Sequence, residues 1–142
     1  MNTTENITDK CNAMLRGELS AIETYGQAIE KFGPDAAGSP LAAIRADHVT
    51  NANSLRKLIG ECGVKADTSS GSWGTFATTV EGVATLLGKS PALMILKQGE
   101  EHGIRQYEDA LDDDELSESV KSLIRDTLLP AQRQHLVELE RW

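Results

Sequence analysis

The stretch LRGELSAIETYGQAIEKF, residues 15–32, places apolar side chains at the spacing of an α-helix. With the residues that precede it, it forms one apolar face whose members lie three, four or seven positions apart, which predicts a helix from about Asn6 to Phe32. The helix is expected to end at Gly33-Pro34, because glycine readily closes a helix and proline cannot continue one. The members of this face are Ile7, Cys11, Leu15, Ile22, Tyr25 and Ile29.

Three further long helices and one short helix are predicted from the same periodicity and from capping residues. Two of the long helices begin with a Ser-Pro pair, in which the serine is the N-cap and the proline occupies the first helical position. The last helix contains Pro130, which is expected to kink it. The expected bounds are Ser39-Pro40 to Gly63 for the second helix, Trp73 to Leu87 for the short one, Ser90-Pro91 to the acidic turn 112–114 for the third, and about Ser117 to Trp142 for the fourth.

The predicted class is all-α, because no segment alternates apolar and polar residues as a strand would. Residues 1–142 are expected to form one domain. Helices joined by short turns pack antiparallel, whereas the long link from Gly63 to Lys89 can cross the whole bundle. We therefore expect a four-helix bundle built from two helical hairpins, with the short helix inside the crossover.

The third helix repeats the pattern of the first, since each carries a Gly-Glu pair followed seven residues after the glutamate by a tyrosine. In each half, the helix that follows carries one histidine on its apolar face. The repeated unit is therefore a Gly-Glu helix followed by a His helix. The matching residues are Gly17-Glu18 with Gly99-Glu100, Tyr25 with Tyr107, and His48 with His135.

The two repeated glutamates point toward the predicted core, where an unpaired carboxylate is costly unless its pKa rises until it is neutral. A cation relieves that cost, and two carboxylates with two imidazoles from four helices make a set of metal ligands. We therefore predict a metal site formed by Glu18, His48, Glu100 and His135. Mixed carboxylate and imidazole ligands are compatible with iron, zinc and manganese and do not select one of them.

Four strings carry a resemblance to a known family: LRGELSAIETYGQAIEKF (15–32), SSGSWGTFATTVEG (69–82), QGEEHGIRQYEDAL (98–111) and LLPAQRQH (128–135). With them, the chain resembles the ferritin-like superfamily, the di-iron carboxylate bundles that include rubrerythrins and ferritins. It looks most like a family of small bacterial ferritin-like four-helix proteins of unknown function. The resemblance implies a ferritin-like bundle that binds iron. Any enzymatic role would then be oxidation of Fe(II) by oxygen or peroxide, in keeping with stress protection.

The resemblance places the terminal carboxylate ligands at the two repeated glutamates and the histidine ligands at His48 and His135, but the bridging positions differ. Members with a working di-iron centre have a glutamate three residues before each histidine, where this chain has Arg45 and Gln132. Glu138 and Asn51, three residues after each histidine, could compensate in part. The alternative is a non-enzymatic, metal-free bundle in which Arg45 neutralises the core carboxylates.

The acidic composition, with 22 Asp and Glu against 14 Lys and Arg, argues against a nucleic-acid partner. The N-terminus has no signal-like segment and no stretch is apolar enough to span a membrane, so we expect a cytoplasmic protein. Cys11 and Cys62 are predicted to be small core residues. We also expect self-association, with a dimer favoured, in which Trp73 and Phe76 either contribute to the contact or close one end of the bundle.

Overall fold

The structure of the chain is a computed structural model that describes residues 3–36, 39–61 and 89–142. Every regular element in these ranges is helical and none is a strand, so the predicted all-α class is confirmed for this part of the chain. Helix α1 spans Thr3–Phe32, α2 spans Leu41–Glu61 and α3 spans Lys89–Leu111. Helix α4 is continuous from 118 to 141 and consists of α-helical Glu118–Leu123, π-helical Ile124–Leu128 and α-helical Leu129–Arg141.

The helix ends follow the local chemistry of the sequence. Gly33 has a φ of +53°, so the glycine closes α1 as predicted, and a 3-10 turn at Gly33–Ala36 follows. Helix α2 begins at Leu41, one residue after the predicted proline start, and the Ser39 hydroxyl accepts a hydrogen bond from the Leu41 N–H at 3.4 Å. The predicted end of α2 at Gly63 and the predicted helix 73–87 lie outside the described residues.

The predicted irregularity at Pro130 takes the form of a single π-helical turn just before it. Within this turn the N–H of Leu129 donates to the carbonyl of Ile124, five residues back. A proline removes one backbone donor and its ring crowds the carbonyl four residues earlier, so a wider turn admits it without ending the helix. The N-terminus of α4 is capped by Ser117, whose hydroxyl accepts from the Val120 N–H.

The first two helices run antiparallel, which side-chain contacts show directly. His48 of α2 contacts Glu18 of α1, and Arg45, one turn earlier in α2, contacts Ile22, one turn later in α1. Helices α3 and α4 are antiparallel in the same way, since Arg133 lies against Glu108 and the later residue 135 lies against the earlier residue 100. Each pair is thus a helical hairpin closed by a short turn.

Helices α1 and α3 are also antiparallel, because Lys10 pairs with Asp113 at one end and Tyr25 bonds Glu100 toward the other. Helices α2 and α3 therefore run parallel. The end of α2 and the start of α3 consequently lie at opposite ends of the bundle. No helix in the described segments has the length and apolar character of a membrane span.

The core consists of two apolar clusters separated by a polar layer. One contains Leu15 and Leu55, and the other contains Ile44 and Leu96. Along every helix the polar layer falls between the two clusters, so apolar side chains shield it from above and below. Cys11 lies in the first cluster, as predicted, while Cys62 is not among the described residues. The buried polar residues of the layer are Glu18, His48, Asn51, Glu100, Gln132 and His135.

Candidate metal centre

The four predicted site residues all lie in this polar layer, one from each helix. Glu18 and Glu100 are each 2% exposed, His48 is 1% exposed and His135 is fully buried. Each sits on the apolar face of its helix, so the packing that buries the neighbouring leucines and isoleucines also buries the polar side chain. The inward orientation that the periodicity predicts is therefore confirmed for all four.

His48 lies between the two carboxylates. Its Nδ1 is 2.6 Å from Oε2 of Glu18 and its Nε2 is 3.0 Å from Oε1 of Glu100. Burial alone would lower the pKa of His48, but the two carboxylates outweigh burial and raise it from 6.5 to about 10. At neutral pH the ring is an imidazolium that donates a hydrogen bond to each carboxylate, so three buried charges form one compact ion triad.

The two repeated tyrosines bond the carboxylates crosswise. The hydroxyl of Tyr25 donates to Oε1 of Glu100 at 2.6 Å, and that of Tyr107 donates to Oε1 of Glu18 at 2.5 Å. Burial, followed by the charge of the nearby glutamate, raises the pKa of each tyrosine well above 10, so both hydroxyls keep their protons. Each glutamate is therefore held by a tyrosine from the opposite hairpin.

His135 makes different contacts from His48. Its Nε2 is 2.9 Å from Oδ2 of Asp47, and its Nδ1 is 3.4 Å from Oε2 of Glu100. Within the part of the chain that the structure describes, neither that nitrogen nor that oxygen forms a hydrogen bond, so the two buried atoms meet only at the distance of a long ion pair. Sequence reasoning missed Asp47, because it lies on the outer side of α2 and reaches His135 only across the packed helices.

Three of the predicted residues form a group that could hold a metal ion. His48, Glu100 and His135 each offer one ligand atom, and these atoms lie within 4.8 Å of one another. The imidazoles of His135 and His48 outweigh the effect of burial on Glu100 and lower its pKa from 4.5 to about 2, so its carboxylate is ionised. Glu18 lies on the other side of the His48 ring, at Nδ1, and is not part of this group.

The side chains of His48, Glu100 and His135 are chemically suited to hold a cation. A buried polar atom without a hydrogen bond costs free energy, and two such atoms, Oε2 of Glu100 and Nδ1 of His135, face each other across 3.4 Å. A cation bound by imidazole and carboxylate would satisfy both at once. The carboxylate of Glu18 on the far nitrogen of His48 matches the usual arrangement in which a ligand histidine is hydrogen-bonded by a second carboxylate.

A cavity of about 40 Å³ adjoins the group between α1 and α3. It has room for about two or three water molecules. Its walls include Glu18, Glu100 and Gln132, and Oε1 of Gln132 is buried there without a partner. Gly103 allows Gln132 to enter the layer, because a Cβ at this position would collide with the Gln132 amide nitrogen.

Arg45 points away from the layer. It is exposed, its Nε donates to the carbonyl of Ile22 at 3.1 Å, and it packs over Gly26. The alternative prediction, in which Arg45 neutralises the core carboxylates, is therefore not met by this arrangement. His48 occupies that role instead, because a ring on the inner face of α2 reaches both glutamates, whereas a side chain one turn earlier leaves the bundle between α1 and α2.

Of the other residues that the sequence suggested as accessory ligands, only Asn51 belongs to the polar layer. Asn51 is buried and its Nδ2 has no partner, whereas Glu138 is half-buried and accepts a hydrogen bond from Gln134 at 3.4 Å. Glu101 and His102 are exposed, as expected from their angular distance from Glu100 around the helix. Asn51 could add one neutral donor to the polar layer, and none of the others is directed into it.

Comparison with known proteins adds no assignment, because no protein-family model, no curated protein and no solved structure matches the chain. Function is therefore inferred from the polar layer itself.

Proposed function

We propose that this protein binds a transition metal ion in the core of its helical bundle through His48, Glu100 and His135. The observation that carries the proposal is that two buried atoms, Oε2 of Glu100 and Nδ1 of His135, lie 3.4 Å apart without a hydrogen bond, beside the Nε2 of His48. Native proteins rarely leave such atoms unpaired, and a cation is the partner that both would accept.

The contacts define how these residues would hold the ion. Glu100 supplies a negative charge between the two rings, and Tyr25 fixes its other oxygen by a hydrogen bond. His48 must give up the proton that it holds between the glutamates, so metal uptake competes with protons and strengthens as the pH rises. Glu18 then accepts a hydrogen bond from Nδ1 of the neutral ring and keeps Nε2 directed at Glu100.

We propose iron as the ion, with zinc and manganese as the alternatives. The resemblance to the ferritin-like superfamily supports iron, and the mixed carboxylate and imidazole donors are compatible with all three. Bound iron would supply one-electron chemistry with oxygen or peroxide, which is the basis for a possible Fe(II)-oxidising role in stress protection. With Arg45 turned outward and Gln132 neutral, the layer lacks the two bridging carboxylates of a di-iron centre, so we propose one ion per chain.

The test is the metal content of the full chain, purified without a histidine tag and measured by elemental mass spectrometry before and after anaerobic Fe(II) loading. We expect one ion per chain in the wild type and none in Glu100→Gln, which keeps the shape of the side chain and removes its charge. Glu101→Gln is the matched control, because Glu101 is the exposed neighbour on the same helix. It should bind as the wild type does.

Two further variants keep this test decisive. His135→Gln should also lose the ion, and it covers the case in which Glu100→Gln does not fold by circular dichroism. Glu18→Gln should weaken binding and leave the stoichiometry at saturation unchanged, since Glu18 contacts the far side of the His48 ring. Full binding in both Glu100→Gln and His135→Gln would rule out this site.

A second candidate function is a metal-free structural or interaction bundle, and the ion triad favours it. His48 already neutralises part of the buried negative charge, so the fold does not require a metal to satisfy Glu18. Under this alternative the wild type stays metal-free after loading with Fe(II), Zn(II) and Mn(II). Its unfolding midpoint is then also unchanged by these ions, whereas metal binding to the native state would raise it.

A further inference from the structure

We infer that Asp47 is a positioning residue for the metal centre, holding His135 with Nδ1 directed at Glu100. The inference rests on the proposed function, because it assigns a role to Asp47 through one of the proposed ligands. No pattern in the sequence draws attention to this residue, which lies beside His48 but faces another direction around α2.

The contact between Asp47 and His135 pairs an exposed side chain with a buried one. The Asp47 side chain is 59% exposed, while that of His135 is 1% exposed, and the two meet at 2.9 Å between Oδ2 and Nε2. Asp47 belongs to α2 and His135 to α4, so the contact links the two helices that carry the histidines. The exposed carboxylate therefore forms the outer end of a line of contacts that continues through the His135 ring to Glu100.

The hydrogen bond determines which ring nitrogen of His135 is free. A carboxylate can only accept a hydrogen bond, so the Nε2 facing Asp47 must carry a proton. The neutral ring has one proton for two carboxylates, and the 2.9 Å contact of Nε2 with Asp47 is a hydrogen bond whereas the 3.4 Å contact of Nδ1 with Glu100 is not. The proton therefore stays on Nε2, and Nδ1 directs a lone pair toward Oε2 of Glu100. Without Asp47 the ring could place its proton on Nδ1 instead, where it would block metal binding.

In each of the two proposed ligand histidines, a carboxylate holds one ring nitrogen and the other nitrogen faces Glu100, but the two rings use opposite nitrogens. Glu18 holds Nδ1 of His48 and leaves Nε2 toward Glu100, whereas Asp47 holds Nε2 of His135 and leaves Nδ1 toward Glu100. Removing such a partner carboxylate typically weakens metal binding about 10- to 100-fold. Asp47 is 59% exposed, but the His135 ring that it bonds is buried, so removing Asp47 also costs folding free energy. The position of the proton on the His135 ring therefore distinguishes a positioning role from a purely structural one.

The first experiment measures Zn(II) affinity by competition with a chromogenic chelator at fixed pH, with urea unfolding of the metal-free protein in parallel. We expect Asp47→Ala to bind Zn(II) about 10- to 100-fold more weakly, under conditions in which the urea curve shows that the metal-free variant is still folded. Asp47→Glu should recover most of the affinity, because it restores an acceptor. Asp126→Ala, which also removes one exposed carboxylate, should leave the affinity unchanged.

The second experiment reads the proton position directly, by nitrogen-15 NMR of the histidine rings in the metal-free full chain at pH 8.5. We expect His135 to carry its proton on Nε2 in the wild type and to lose this preference in Asp47→Ala. A wild-type ring that carries a proton on Nδ1 and none on Nε2 would overturn the inference.

The outcomes also separate this inference from the function on which it rests. A wild type that binds no metal refutes the proposed function, and with it the role of Asp47 as a partner of a ligand. A wild type that binds Zn(II) while Asp47→Ala binds equally tightly refutes the inference alone. An Asp47→Ala protein that binds Zn(II) more weakly while its His135 ring still carries the proton on Nε2 would likewise refute it, because the loss would then be structural.

Discussion

The two histidines of the polar layer occupy matching positions in two similar hairpins, yet their surroundings differ. His48 has a buried carboxylate on each ring nitrogen, at 2.6 and 3.0 Å. His135 has an exposed carboxylate on one nitrogen, and its other nitrogen faces a carboxylate oxygen at 3.4 Å without a hydrogen bond. Both ring nitrogens of His48 are thus hydrogen-bonded to carboxylates, whereas Nδ1 of His135 and the facing oxygen of Glu100 remain available as metal ligands.

The different surroundings of His48 and His135 suggest that one ring matters more for folding stability and the other more for metal binding. Removing one partner of a buried, hydrogen-bonded ion pair is expensive, because the other charge is left uncompensated. A buried polar atom without a partner costs free energy until a ligand supplies one. We therefore expect changes at His48 to act mainly on folding and changes at His135 mainly on metal binding.

The largest expected effect comes from His48→Ala in the metal-free protein. The substitution leaves Glu18 and Glu100 buried without their shared counter-ion, so the free energy of unfolding should fall by about 3–5 kcal/mol. Urea denaturation with a chelator present measures it. His135→Ala removes the same ring from the other half and should cost clearly less. Equal losses in the two variants would show that the halves are equivalent and would contradict the comparison.

The free energy of unfolding should depend on pH through two charged groups of the same triad, His48 and Glu100. The pKa of His48 is raised from 6.5 to about 10, so its contribution is complete below pH 6.5 and is lost as the pH rises toward 10. The pKa of Glu100 is lowered from 4.5 to about 2, so its contribution is complete above pH 4.5 and is lost as the pH falls toward 2. Unfolding free energies of the metal-free protein should therefore be highest between these ranges.

The alkaline limb of that profile belongs to His48 and offers an internal control. In His48→Ala the decline between pH 6.5 and 10 should flatten, while His135→Ala should keep it. A decline that persists unchanged in His48→Ala would assign the alkaline limb to other groups.

Substituting the two tyrosines that bond the carboxylates crosswise should lower the free energy of unfolding by a smaller amount. Comparing the two variants tests how similar the hairpins are. Tyr25→Phe and Tyr107→Phe each remove one hydrogen bond to a buried carboxylate, which should cost about 1.5–3 kcal/mol. The two losses should be similar, because each glutamate receives one such bond. A clear difference in the unfolding free energies of the two variants would extend the asymmetry of the histidines to the tyrosines.

The smallest expected effect is that of Arg45→Ala. Arg45 is exposed and, among the described residues, its Nε bonds to the carbonyl of Ile22, so the loss in unfolding free energy should be about 0.5 kcal/mol or less. Metal uptake by elemental analysis should not change. A loss of several kcal/mol would instead support Arg45 as the counter-ion of the core glutamates.

Much of the fold could be predicted from local sequence patterns. The end of α1 at Gly33 and the start of α2 after Ser39 follow from backbone chemistry that acts over a few residues. The disturbance at Pro130 was also predictable, but its form was not, since a kink and a π-helical turn both accommodate a missing backbone donor.

The burial of Glu18, His48, Glu100 and His135 was determined by the sequence alone, because helical periodicity places each of them on the apolar face of its own helix. Their partners were decided only by the tertiary structure. The outward path of Arg45, the position of Glu18 behind the His48 ring and the hydrogen bond from His135 to Asp47 all depend on how neighbouring helices are placed to within a few ångströms. Periodicity gives the direction of a side chain around its own axis, whereas the choice between two ring nitrogens depends on atoms that other helices supply.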